Sequence, residues 1–129
     1  MYKTVGTAGA VRARSMPLLA RELERAARRT EARGALDVAS FFTRLHLELL
    51  GEHASSPRAL DAPLQRFAKL LVAQRHYASA RAVLRRLVEL RTDLHGERSS
   101  PVRRARRALE ELAARRDRRA LTPSAVPEA

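Results

Sequence analysis

Leu64-Gln65-Arg66-Phe67-Ala68-Lys69-Leu70-Leu71 and Tyr77-Ala78-Ser79-Ala80-Arg81-Ala82-Val83-Leu84-Arg85-Arg86-Leu87 are the two runs whose reading decides the fold. In the first, Leu64, Phe67, Leu70 and Leu71 recur three and four residues apart. In the second, Ala80, Val83, Leu84 and Leu87 do the same. That spacing places apolar side chains on one face of an α-helix, whereas a half-buried strand would alternate them. Asp61 offers a side-chain cap and Pro63 suits a first turn, so the earlier helix is expected to open at Asp61. The later one is expected over Tyr77 to Leu94, with Leu94 also inward. Two helices joined by a short break form a hairpin.

Working outward, the same punctuation recurs. Ser15 and Pro17 read as a helix start, and Leu19, Leu23, Ala26 and Thr30 continue at helical spacing to Gly34, which can close a helix in a left-handed conformation. A second helix is expected over Ala35 to Leu50, with Val38, Phe42, Leu45 and Leu49 on its inner face, stopped by Gly51. Pro101 opens a fifth helix with Val102, Ala105, Ala108, Leu109 and Leu112 inward. No segment alternates like a strand. The expected organisation is a basic flexible leader over 1–14, a helical domain over 15–121 and an unstructured tail over 122–129 that carries Pro123 and Pro127. Thr4 to Val11 holds two Gly and two Thr and is too short and weakly apolar for a secretory segment.

Composition agrees with an all-α chain of about five helices. The 129 residues suit one domain; 45% are hydrophobic but only 4% aromatic, with no Trp, so the core must be Leu, Val and Ala at close range. With no Cys, disulfides, thiolate zinc sites and a cysteine nucleophile are excluded. No apolar run reaches the roughly 20 residues a membrane span needs. A cytoplasmic location is expected.

A repeat underlies the blocks. Gly51-Glu52-His53-Ala54-Ser55-Ser56-Pro57 returns one residue shorter as Gly96-Glu97-Arg98-Ser99-Ser100-Pro101, each copy following one helix and preceding another. Duplicated linkers imply duplicated hairpins, the mark of an array in which stacking supplies the core. The block Leu64, Phe67-Ala68, Tyr77, Ala80, Leu84 and Leu87 resembles the tetratricopeptide repeat family, in its long-linker variety found in kinesin light chains. An earlier copy is placed at Leu23, Ala26-Ala27, Gly34, Leu36 and Ala39, and a final half copy at Leu109 and Leu112-Ala113. Ala39 and Ala80 lie 41 residues apart. The resemblance implies stacked antiparallel hairpins with these two alanines at close helix crossings. Arg75 departs from the pattern, standing where that family usually has Gly.

The resemblance also implies a concave groove for a peptide, lined by Arg21, Glu24, Arg28 and Glu31, then Gln65, Lys69 and Val72, then Arg107, Glu110 and Ala114. Arginine supplies 24 of the 26 basic residues, against 14 acidic ones, for a net charge of +12. On a helical wheel Arg103, Arg104, Arg107, Arg115, Arg118 and Arg119 fall on one side of the fifth helix, opposite Ala105, Leu109 and Leu112. Such a face attracts carboxylates and phosphates, which arginine engages in a fork.

Catalytic signals are lacking. There is no phosphate loop, no nucleophile elbow and no pair of histidines spaced for a metal, and the four His residues have no acidic cluster to complete a shell. His46 is followed by Leu47-Glu48-Leu49-Leu50-Gly51 rather than by the Lys and Gly of a phosphotransfer module, and reads as a partly buried histidine. The expectation is therefore a non-enzymatic module without cofactor or metal, serving as a partner for an acidic protein segment or as a subunit of a larger assembly or homo-oligomer. The alternative is a small basic protein that binds RNA or DNA through phosphates, without base stacking, since no aromatic is interleaved with the arginines.

Overall fold

The computed structural model describes the backbone of residues 2–52 and 56–121, and the side chains of 17–51, 56–115 and Arg118. Among the described residues five α-helices follow one another: α1 (Tyr2–Ala32), α2 (Leu36–Glu52), α3 (Asp61–Ala73), α4 (Tyr77–His95) and α5 (Ser100–Leu121), with a single 3-10 turn at Pro57–Leu60. No strand occurs among the described residues. Each helix packs against its neighbour in the chain, α1 on α2, α2 on α3, α3 on α4 and α4 on α5. The fold is all-α. The tail expected over 122–129 lies outside the described residues.

The two hairpin bends have the same construction. Gly34, at φ +80°, donates its N–H to the Glu31 carbonyl at 2.9 Å, and Ala35 donates to Thr30 at 2.9 Å. Forty-one residues on, Arg75, at φ +64°, donates to Val72 at 2.9 Å and His76 donates to Leu71 at 2.8 Å. Both are Schellman closures, in which a left-handed residue lets two amides reach back to carbonyls the helix leaves open. The next helix then starts with the Ala39 amide on the Ala35 carbonyl and the Ala80 amide on the His76 carbonyl, each at 3.0 Å. Ala39 and Ala80 are both 0% exposed, as a close crossing requires. Ala27 and Ala68, another pair 41 apart, are buried as well.

The duplicated linkers are less alike than their sequences. Gly51 lies inside α2, whereas Gly96 closes α4 at φ +91°. Their second halves agree, because Ser56-Pro57 opens the 3-10 turn and Ser99-Ser100-Pro101 opens α5, where the Ser99 hydroxyl accepts from the Val102 amide at 3.4 Å.

Three expectations need correction. The first helix does not begin at Ser15, and the stretch 1–14 read as a flexible leader has helical backbone from Tyr2, so that Pro17 sits inside α1. Proline removes one amide, but the alanine- and arginine-rich sequence around it favours the helix. On α2 the packed face is Ala39, Ser40, Thr43, His46 and Leu47, while Phe42, Leu45 and Leu49 are half-buried and Val38 and Phe41 are 40% and 48% exposed. Small residues win that face because they let α2 approach its neighbours; Thr43 returns its hydroxyl to the Ala39 carbonyl at 2.9 Å, and Ser40 accepts from the Gln74 amide at the end of α3. In α5 Ala113, matched together with Leu112 in the final half copy, is exposed; the buried small residue is Ala105.

Candidate interaction groove

Between α3 and α5 runs an open groove with α4 as its floor. Its cavity volume is about 530 Å³. Ala68, Val72, Leu84, Leu87, Ala105, Ala108 and Leu112 make the apolar base; Gln65, Lys69, Arg104, Glu111 and Arg115 stand on the rims. Leu84, Leu87, Ala105 and Leu112 belong to the hydrophobic core, so the groove is a place where the core opens to solvent.

One end is closed by a buried arginine. Arg91 is only 7% exposed, and its guanidinium donates through Nε and Nη2 to the two carboxylate oxygens of Asp61 at 2.9 Å each. Nη2 also reaches Gln65 Oε1 at 2.6 Å, and Nη1 the Pro101 carbonyl at 3.1 Å. A single side chain therefore ties α3, α4 and the first turn of α5 together. Its planar fork makes the bidentate bond possible, and the extra acceptors offset the cost of taking a cation out of water. The Arg91 hydrogen bonds hold the Asp61 carboxyl below the usual carboxylate range, against the upward push of burial, and the charges of Arg91, His95 and Arg104 add to the effect. Asp61, expected as the helix cap, is instead the first residue of α3, with Leu60 at the cap position, and its carboxylate oxygens are bonded to Arg91.

The groove unites only part of the expected site. Of the residues the resemblance placed in a peptide groove, Gln65, Lys69 and Val72 line this one. From α5, the lining is Arg104, Ala108, Glu111 and Arg115 rather than Arg107, Glu110 and Ala114, a register set by Val102, Ala105 and Leu112 being the buried face. Arg21, Glu24, Arg28 and Glu31 do not line it: α2, not α1, packs against α3, so α1 stands away from this cleft. Arg28 instead pairs with Glu24 at 2.8 Å on the α1 surface. Two further pairs with the same spacing, Arg85 with Glu89 and Glu111 with Arg115, do not close, whereas Arg44 and Glu48 on α2 do, at 3.8 Å.

The cationic face of α5 divides. Arg104 and Arg115 turn into the groove, while Arg103 and Arg107 are exposed outside it, as is Arg118. The side chain of Arg119 lies outside the described residues. Among the described residues Lys69, Arg103, Arg104, Arg107 and Arg115 have no ion-pair partner; Arg106 meets Glu97 at 3.4 Å.

His46 lies buried on α2. Burial lowers its pKa, Glu24 pulls it back up and Arg66 adds to the lowering. No cluster of three His, Asp or Glu side chains able to hold a metal occurs among the described residues, and no helix among them is long and apolar enough to cross a membrane. No protein-family model, curated protein or solved structure matches the chain.

Arg91 was missed in the sequence although a signal was present. It continues the series Ala80, Leu84, Leu87 at the next helical step, so a charge on that stripe had to be buried and paired.

Proposed function

We propose that this chain is a non-enzymatic interaction module, built as a short tetratricopeptide-like array, whose α3–α5 groove takes an acidic amphipathic segment of a partner. The observation that carries this reading is an apolar floor framed by Lys69, Arg104 and Arg115, none of which has an ion-pair partner among the described residues. An apolar base supplies contact area and the rim cations select carboxylates. The repeated bends at Gly34 and Arg75 and the buried alanines that follow them support the array.

The test is fluorescence anisotropy with a labelled helical peptide carrying leucines on one face and glutamates at its edges. Reversing Lys69, Arg104 and Arg115 to Glu should weaken capture by about tenfold or more, while changing Arg103, Arg107 and Arg118 to Gln leaves it nearly unaltered. Equal losses in both sets would remove the groove from the mechanism.

A second reading rests on Arg103 and Arg107, exposed on the outer side of α5. It is attachment to the phosphates of RNA or DNA. Binding of unrelated duplexes that collapses along a steep logarithmic salt slope, and that the outer Gln variants abolish, would favour it over the first.

A further inference from the structure

We infer that the segment held in the α3–α5 groove is the exposed face of α2 from a second copy of this chain, so that copies join head to tail. This rests on the groove being a docking site, and adds the identity of its occupant.

Charge selects α2. With Asp37, Glu48 and Glu52 against Arg44 it is the one α-helix whose formal charge is negative, in a chain of net charge +12. Its outward side carries Val38, Phe41 and Glu48 in the open, with Leu45 half-covered between them. Arg44 lies over the Phe41 ring at 5.9 Å and is 3.8 Å from Glu48, so one cation spans the aromatic and the acid on this face. The groove presents the complement, an apolar floor for Phe41 and Leu45, Lys69 and Arg115 for the acids, and Glu111 for Arg44.

Length agrees as well. From Asp37 to Glu48 and from Arg104 to Arg115 are both three turns of helix, about 16 Å at 1.5 Å per residue. Orientation follows from the charges. Two α2 faces together would set acid on acid, and two grooves base on base, leaving the head-to-tail arrangement as the one that lowers repulsion. Such a contact is heterologous, and it propagates unless it closes into a ring.

Sedimentation velocity on the full chain between about 1 and 100 μM, where small interfaces associate, tests this. The wild type should grow beyond a dimer as concentration rises. Phe41→Arg removes the head and the pair Lys69→Glu with Arg115→Glu removes the tail; each variant alone should sediment as a monomer with unchanged helicity. Mixed, they should form a one-to-one dimer and nothing larger, since one offers a working groove and the other a working α2. A wild type that stays monomeric throughout, or a Phe41→Arg variant that assembles as well as the wild type, overturns the inference. If that monomeric wild type still captures the acidic peptide, the groove reading survives; if capture fails too, both fall.

Discussion

The hairpin α1–α2 and the hairpin α3–α4 turn on the same bend and bury alanines 41 residues apart, yet their surfaces are unlike. Val38, Phe41 and Leu45 of α2 correspond to Ser79, Ala82 and Arg86 of α4, so one outward face is apolar and the other is suited to water. Inside, the contrast reverses: α2 buries Thr43 and His46 where α4 buries Leu84 and Leu87. A few positions suffice to set the backbone course, namely the left-handed residue at the bend and the small residues before and after it. Everything else is free to differ, and the differences mark where each hairpin meets something other than its twin.

The largest expected effect concerns Arg91, for which α2 has only the half-buried Leu50 at the matching place. Replacing Arg91 with Ala strands Asp61 and Gln65 and should cost about 3 kcal/mol in urea unfolding, less if Asp61, 29% exposed at its side chain, rehydrates. A loss under about 1 kcal/mol would show that the tie between α3, α4 and α5 contributes little.

Next come the crossings. Ala39→Leu and Ala80→Leu should each cost roughly 1–3 kcal/mol by overpacking. Comparable losses are expected because both side chains are wholly enclosed; a strong effect at one and none at the other would break the equivalence of the hairpins.

The bends distinguish the hairpins more finely. Arg75 adopts a conformation that costs a residue with a Cβ about 1 kcal/mol, whereas Gly34 adopts it freely. Arg75→Gly should raise the midpoint slightly, by less than about 1 kcal/mol after the added chain entropy, and Gly34→Arg should lower it. The opposite signs would remove the argument from φ.

The smallest effect is in acid. Buried His46 resists protonation that the unfolded chain accepts, so stability should fall as pH drops through the ordinary histidine range, and a His46→Gln variant should flatten that decline. Below it, at the ordinary aspartate range, the Asp61 contribution goes next, because its folded carboxylate holds on to lower pH than the unfolded one. Thermal midpoints from pH 8 to pH 3 would show both steps.

Much of this was legible beforehand. Leu64, Leu84, Leu87 and Leu112 recur with helical spacing and do lie in the core, and Gly34 does close a helix. What misled was apolarity itself. Phe42 and Leu45 look more suited to burial than Ala39, Ser40 and Thr43, but two helices in contact leave no space for the larger side chains at the crossing. The 41-residue correspondence held the remedy, since it pairs Thr43 and His46 with Leu84 and Leu87. The α5 side of the groove was legible only in part, because its register depends on which small residue, Ala105 or Ala113, meets α4. Arg91 escaped because its acceptors, Asp61, Gln65 and the Pro101 carbonyl, come from two other helices, and no local pattern announces them.

Packing in strict chain order, each helix on the one before it, has a kinetic corollary. Most favourable contacts close a short loop, so the search for the native arrangement involves limited long-distance pairing, and refolding is expected on the microsecond-to-millisecond scale. Pulled from its two ends, such a chain should unravel in successive steps, giving up α1 and α2 first while α3, α4 and α5, which Arg91 ties together, hold longest.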